Sequence, residues 1–140
     1  ADIDTTGVEL YAPEYQEPYL STHHQETYWT GEKVLSAPDR FRVFLAIHEG
    51  KVVGYLDVTY CFEQNEPYDL FVLEEYRRMG FGRKLLAQAL KCNGPKGMMA
   101  MVDVEAVAAI RLFESVGFQR AKHENNVTAH WTVPEGGNGA

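Results

Sequence analysis

The sequence has few cysteines, no long apolar run and no excess of positive charge, and each shortage excludes a class of protein. Only Cys61 and Cys92 occur among 140 residues, without paired spacing, which favours a reducing, cytoplasmic compartment over a disulfide-rich secreted fold. No apolar run approaches the ~20 residues that cross a bilayer, so we expect no membrane span. The net charge of −7 argues against nucleic-acid binding, which needs clustered cations.

The N-terminus lacks the marks of a secretory signal, since Ala1–Asp4 carries neither a basic region nor an apolar run. It also lacks an initiator methionine, which is consistent with one domain of a longer or tandem protein. The length predicts a single domain with a sizeable core. We expect that domain to span residues 1–135 and a flexible tail to follow at 136–140.

The segment Leu70–Leu90 carries the strongest functional pattern. The short apolar run Leu70–Leu73 predicts a strand, and a helical apolar stripe begins at Phe81. Between them lie Gly80 and several arginines. A strand, a glycine turn and a helix start in this order form an anion-binding device, because backbone N–H groups and the helix dipole converge on one point.

The remaining patterns predict a mixed α/β domain. Alternation of Val43, Leu45 and Ile47 predicts a half-buried strand over Phe41–His48, and Glu49-Gly50 predicts a hairpin turn into a second strand. The predicted order is strand, helical region, hairpin, strand, helix, strand, helix and two strands. The segments are Val8–Tyr11, Pro13–Thr27, Phe41–His48, Val52–Phe62, Leu70–Leu73, a helix from Phe81, Gly97–Val102, a helix capped by Asp103 and closed by Gly117, Phe118–Lys122 and Thr128–Val133.

Two adjacent histidines, His23 and His24, fall in the predicted helical region. Neighbouring residues on a helix point about 100° apart and therefore do not converge on one ion. We interpret both as solvated surface residues and predict no metal site.

The glycine turn matches neither common nucleotide loop. A dinucleotide fingerprint needs a third glycine where Lys84 and Leu85 stand, and no G-K-[ST] follows for a triphosphate loop. A purely structural turn is the plain alternative. A diphosphate site fits better, because glycines admit a ligand close to the backbone and the flanking arginines supply charge.

Two motifs resemble the GCN5-related N-acetyltransferases, the GNAT superfamily. The family's acyl-CoA signature [QR]-x-x-G-x-[GA] appears as Arg77–Gly82, after the apolar strand. A second signature, A-I-x-L-[YF]-E-x-x-G-F, appears as Ala109–Phe118. The resemblance covers about 41–133 and implies a mixed, mostly antiparallel sheet with one splayed strand pair, flanked by helices.

This resemblance also implies acetyl-CoA or coenzyme A as co-substrate and a set of residues that hold it. The backbone of Leu70, Phe71 and Val72 would pair with the pantetheine arm. A backbone N–H near Val72 would donate a hydrogen bond to the oxyanion. The turn would hold the diphosphate through Arg77, Arg78, Met79, Gly80, Phe81, Gly82, Arg83 and Lys84.

The sequence departs from the family at its usual proton-transfer positions. Phe113 stands where many relatives have a Tyr that acts as general acid. Ala106 stands where an Asn is common, and Met101 stands where some relatives have a Glu. Another branch places its basic Glu at a spacing that falls on Glu66.

Glu66 is therefore our leading candidate for the general base, with Asp69 and Glu63 behind it. Each of them has a solvated carboxylate as the plainer alternative. Tyr68 and Tyr60 are candidates for the missing acid. Cys61 as a nucleophile is a further alternative that direct transfer does not need.

The sequence thus predicts an acyl-CoA-dependent N-acyltransferase of the EC 2.3.1 class, acting on an unidentified small-molecule or peptide primary amine. The alternatives are a catalytically weak acyl-CoA-binding module and a non-catalytic half of a tandem acetyltransferase. A homodimer is a further expectation that the family supplies.

Overall fold

The computed structural model describes residues 11–60, 64–93, 97–103, 105–123 and 126–131. Its elements are α1 (Pro13–Thr22), α2 (Gly31–Leu35), β1 (Phe41–His48), β2 (Lys51–Thr59), β3 (Glu66–Val72), α3 (Phe81–Lys91), β4 (Met98–Asp103), α4 (Val107–Ser115), β5 (Gln119–His123) and β6 (Asn126–Trp131). The predicted order from the helical region onward is confirmed. The predicted first strand, apart from Tyr11, and the predicted tail at 136–140 lie outside the described residues.

The strands form two antiparallel three-stranded sheets that meet at a single parallel bridge. One sheet has the order β1-β2-β3 and the other β4-β6-β5. The bridge joins Asn65, just before β3, to Met98 at the start of β4. Beyond it, β3 and β4 run on without a shared ladder, so the splayed strand pair that the resemblance implied is confirmed.

The hairpin between β1 and β2 turns on Glu49 and Gly50, as predicted. Both residues have positive φ, 51° and 78°, which is the conformation of a two-residue turn of type I′. This turn pairs His48 with Lys51 and Ile47 with Val52, and an irregularity between Ala46 and Ile47 shifts the register of the remaining pairs by one residue.

Two apolar clusters lie on opposite faces of the first sheet. One contains Phe44, Ala46, Leu56 and the buried face of α3, and the other is built around Tyr19, Leu45 and Tyr55. The prediction that β1 is half-buried is wrong, because α3 covers one of its faces and α1 with α2 covers the other.

The predicted N-cap of α4 is also wrong. Asp103 is the last residue of β4, and Ala106 is the N-cap without a capping side chain. Asp103 instead accepts a hydrogen bond from the backbone N–H of Glu105 at 2.8 Å. This local bond forms a turn between β4 and α4, an alternative that short acidic side chains often take.

No helix among the described residues has the length and apolar character needed to cross a membrane.

Gly54 lies where β2 and β3 approach each other closely. A Cβ built there would lie 2.7 Å from the carbonyl oxygen of Phe71, and backbone cannot move aside cheaply. We expect Gly54→Ala to lower the free energy of unfolding by about 1–3 kcal/mol. The measurement is equilibrium unfolding in urea.

Gly82 provides the matched control for this substitution. A Cβ there meets only Leu112 Cδ2 at an ordinary 3.5 Å, inside a helix that favours alanine. Gly82→Ala should leave stability unchanged or raise it by up to about 1 kcal/mol. Equal losses for the two variants would contradict the packing described for β2 and β3.

Candidate functional site

A cleft of about 500 Å³ opens where β3 diverges from the second sheet. Its walls come from the end of β3, the glycine turn, the first turn of α3 and the outer face of α4. The lining residues are Leu70, Phe71, Val72, Tyr76, Arg77, Arg78, Gly80, Phe81, Gly82, Arg83, Ala108, Ala109 and Leu112. The wall contributed by α4 and the Tyr76 ring were not among the predicted site residues.

The free edge of β3 presents backbone groups to this cleft. Leu73 N–H donates to Val53 on β2 at 2.9 Å, and bonded pairs alternate along an antiparallel ladder. Phe71 therefore directs its backbone at β2, where it pairs with Tyr55. The N–H and C=O groups of Leu70 and Val72 point the other way, toward the splay.

The glycine turn directly before α3 contains two residues with a left-handed backbone conformation. Gly80, the N-cap, has φ of 87°, and Arg78 has φ of 65°. Glycine adopts this conformation readily, whereas a non-glycine residue there stores strain that often marks a ligand-binding turn. The first N–H groups of α3 have no carbonyl one turn earlier to bind, and with the helix dipole they favour an anion here.

Two arginines of the turn are fixed by backbone carbonyls. Arg77 Nε donates to Val72 O at 2.8 Å, and Arg83 Nη2 donates to Ser115 O at 3.3 Å. These bonds hold positive charge at both sides of the turn. Met79 and Lys84 are exposed and do not line the cleft.

The predicted proton-transfer residues are spread along β3. Glu66 lies at its start, beside the bridge that closes the splay, and burial raises the pKa of its carboxyl. Tyr68 is the bulged residue between the pairs of Asp69 and Pro67 with β2. Its ring packs edge-on against Phe41 at 6.0 Å, within the second apolar cluster.

Four other positions named in the sequence analysis lie away from the cleft or outside the described residues. Phe113 is buried and packs on Phe118 at 5.0 Å. Tyr60 lies beside Arg42 and Cys92, and burial raises the pKa of its phenol. Cys61 and Glu63 lie outside the described residues.

A buried polar cluster lies behind β3, on the side covered by α1. Asp57 and Asp69 are direct cross-strand partners on β2 and β3, and His23 Nε2 lies 2.8 Å from Asp57 Oδ2 and 3.6 Å from Asp69 Oδ2. Tyr19 donates its hydroxyl to Asp57 at 3.0 Å, and Tyr55 donates to Asp69 at 2.6 Å. We call these five residues the His23 cluster.

Burial governs the electrostatics of the His23 cluster. It raises the pKa of both Asp57 and Asp69, while His23 and the tyrosine hydroxyls oppose that rise. The phenols of Tyr19 and Tyr55 also have raised pKa values, because each is buried beside a carboxylate. Two like charges opposite each other destabilise a sheet, and these hydrogen-bond donors compensate for that cost.

The prediction that His23 is a surface residue is wrong. Its side chain is 0% exposed, whereas that of His24 is 44% exposed. The structural reason is that α1 ends at Thr22 and His23 takes an extended conformation. This change in chain direction places His23 over Tyr55, and the centroids of the two stacked rings lie 4.6 Å apart. Asp57 in an otherwise apolar strand was the one sequence signal of this cluster.

The fold and the cleft have counterparts among known proteins. The family model described as "Acetyltransferase (GNAT) domain" matches residues 39–120. A search of curated proteins found no match. The PaiA N-acetyltransferase of Thermoplasma acidophilum, solved in complex with coenzyme A, is 14% identical with a TM-score of 0.72, over 94% of this chain and 99% of that one.

Two further solved structures have the same fold. The Escherichia coli ribosomal-protein-S18-alanine N-acetyltransferase is 19% identical with a TM-score of 0.67, over 92% of this chain and 90% of that one. Arabidopsis thaliana NAA60, solved with a bisubstrate analogue, is 16% identical with a TM-score of 0.66, over 85% and 92%. At these identities the likeness shows the fold alone.

Replacing His23 tests how much the cluster contributes to stability. His23→Ala leaves two buried carboxylates without their shared partner, so we expect the free energy of unfolding to fall by about 3–5 kcal/mol. The measurement is urea unfolding at neutral pH.

The neighbouring histidine is the control for that variant. His24 is partly exposed, so His24→Ala should change the free energy of unfolding by less than about 0.5–1 kcal/mol. Similar losses in both variants would show that the buried contacts of His23 are not what stabilises this region.

Proposed function

Because the chain belongs to the GNAT acetyltransferase family, we propose that it transfers an acetyl group from acetyl-CoA to a primary amine by direct attack. The observation that carries this proposal is the cleft itself. It combines a glycine turn at a helix start with two outward-facing backbone segments of β3, in the gap between splayed strands.

In this proposal the turn binds the diphosphate and β3 binds the pantetheine arm. Backbone N–H groups at the start of α3 contact the phosphate oxygens, with Arg78 and Arg83 adding charge. Leu70 C=O and Val72 N–H bond the amide groups of the arm, and Phe71 contributes its side chain. The solved relative with coenzyme A supports this choice of ligand, as does the resemblance at Arg77–Gly82.

The transfer step then needs an oxyanion donor and a proton acceptor. The amine nitrogen attacks the thioester carbon, the C–S bond breaks, and the thiolate of CoA leaves with the bonding electrons. The backbone N–H of Leu70 stabilises the oxyanion, since it points into the cleft. The amine proton passes to a carboxylate, which later releases it to water.

Asp69 is the proton acceptor that we favour over Glu66. It neighbours Leu70, so an oxyanion at the Leu70 N–H brings the reacting amine within reach of its side chain. Its carboxyl is 11% exposed and has a pKa raised by burial, which brings a carboxylic acid closer to the working pH of a general base. Glu66 shares the raised pKa but lies at the closed end of the splay.

Binding of acetyl-CoA by isothermal titration calorimetry is the first test. Gly82→Trp fills the cleft beside the turn, so its affinity should be at least about tenfold weaker, a loss of ~1.4 kcal/mol. Lys91→Trp, exposed at the other end of the same helix, is the control and should bind as the unmodified protein does. No binding by the unmodified protein would contradict the proposal.

Turnover over a panel of amines, followed by release of free thiol, tests the choice of base. Asp69→Asn should lower kcat by about 10²–10⁴-fold with little change in acetyl-CoA affinity, and Glu66→Gln should lower it less. The reverse order would assign the role to Glu66. Tight binding of CoA with no turnover of any amine would favour a binding module. The lack of turnover would then be explained by Phe113, which is buried and stands where many relatives have a Tyr that acts as general acid.

A further inference from the structure

The His23 cluster reaches solvent at one point. The side chains of His23 and Asp57 are 0% exposed, and Tyr19 and Tyr55 are equally buried, whereas that of Asp69 is 11% exposed. The cluster also touches the cleft wall, because the Phe71 ring lies 5.9 Å from the Tyr55 ring. Of these five residues, Asp69 is therefore the one whose side chain can exchange a proton with solvent.

The partners of Asp69 hold its carboxylate in one orientation. Its Oδ2 accepts the Tyr55 hydroxyl at 2.6 Å and lies 3.6 Å from His23 Nε2. Tyr55 is itself held, since its oxygen accepts the backbone N–H of His24 at 2.7 Å. His23 is held by Asp57 and by stacking on Tyr55. The donors facing Asp69 thus have little freedom to turn away.

The same donor set fits hydrogen bonding better than a metal ion. The donor atoms of His23, Asp57 and Asp69 lie within 4.8 Å of one another, which is close enough for a metal. However, His23 Nδ1 has no hydrogen-bond partner among the described residues, whereas a histidine that binds a metal nearly always donates its second nitrogen to a partner. The 2.8 Å separation of Nε2 and Asp57 Oδ2 is the length of a charge-assisted hydrogen bond.

We propose that Tyr55 and His23 are positioning residues for Asp69, which keep its carboxylate ionised and directed at the acceptor amine. The role of Asp69 as proton acceptor rests on the proposed function, whereas the contacts around Asp69 do not. Burial and the facing Asp57 disfavour the charged form of Asp69. The Tyr55 hydroxyl, His23 and the nearby His24 favour it, and Tyr19 acts on Asp57 instead. Removing the Tyr55 hydroxyl or the His23 ring should therefore make Asp69 easier to protonate.

A matched pair of substitutions separates this role from a structural one. Tyr55→Phe and Tyr19→Phe each delete one buried hydroxyl that bonds a carboxylate, but only Tyr55 bonds Asp69. We expect the pKa of Asp69, followed by carboxyl ¹³C NMR in the unliganded protein, to rise by about one unit or more in Tyr55→Phe. It should not rise in Tyr19→Phe. His23→Gln, which retains a donor toward Asp57, should also raise it.

Kinetics adds a second readout of the same role. The acidic limb of the pH profile of kcat/KM should move to higher pH in Tyr55→Phe and should not move to higher pH in Tyr19→Phe. An equal change in the Asp69 pKa in the two variants would overturn the proposal. It would also be overturned if the unmodified protein bound Zn²⁺ and Asp57→Asn abolished that binding. If Asp69→Asn retains full turnover while the NMR shifts appear as expected, the proposed base is wrong but the coupling of Tyr55 and His23 to Asp69 stands.

Discussion

The site depends on how Asn65 joins the two sheets. Its backbone N–H donates to Gly97 at 3.0 Å and its carbonyl accepts from Met99 at 2.9 Å. Its side-chain amide donates to Asn93 Oδ1 at 2.6 Å, just after α3 ends. One buried residue thus connects the start of β3, the start of β4 and the end of α3. Because the two strands are joined here and diverge afterwards, a cleft opens at the end where the glycine turn lies.

The two faces of β3 contribute different chemistry to that cleft. Leu70 and Val72 pack on the α3 side and turn their backbone groups outward, so this edge can bind an extended amide chain. Asp69 lies on the α1 side, among Tyr55, Asp57 and His23. Alternation along a single strand therefore separates the surface proposed for the cofactor from the carboxylate proposed to accept the proton.

Local patterns in the sequence predicted the elements and the turn, whereas long-range contacts could not be predicted. The helix stripe from Phe81 and the Glu49-Gly50 turn are set by neighbours in the chain, and both were confirmed. The His23 cluster joins residues 34 and 46 positions apart from His23, namely Asp57 and Asp69, and no local period marks such a meeting. The buried role of Asn65 could not be predicted either, because it depends on contacts with β4 and α3.

We propose that β3 and the glycine turn bind acetyl-CoA through backbone N–H groups. Amide hydrogen exchange, resolved by residue with and without coenzyme A, tests this directly. We expect new protection at Leu70, Val72 and the first turn of α3, with none gained at Phe71, whose N–H already bonds β2. Protection confined to other elements, or equal gains at Phe71 and its neighbours, would contradict it.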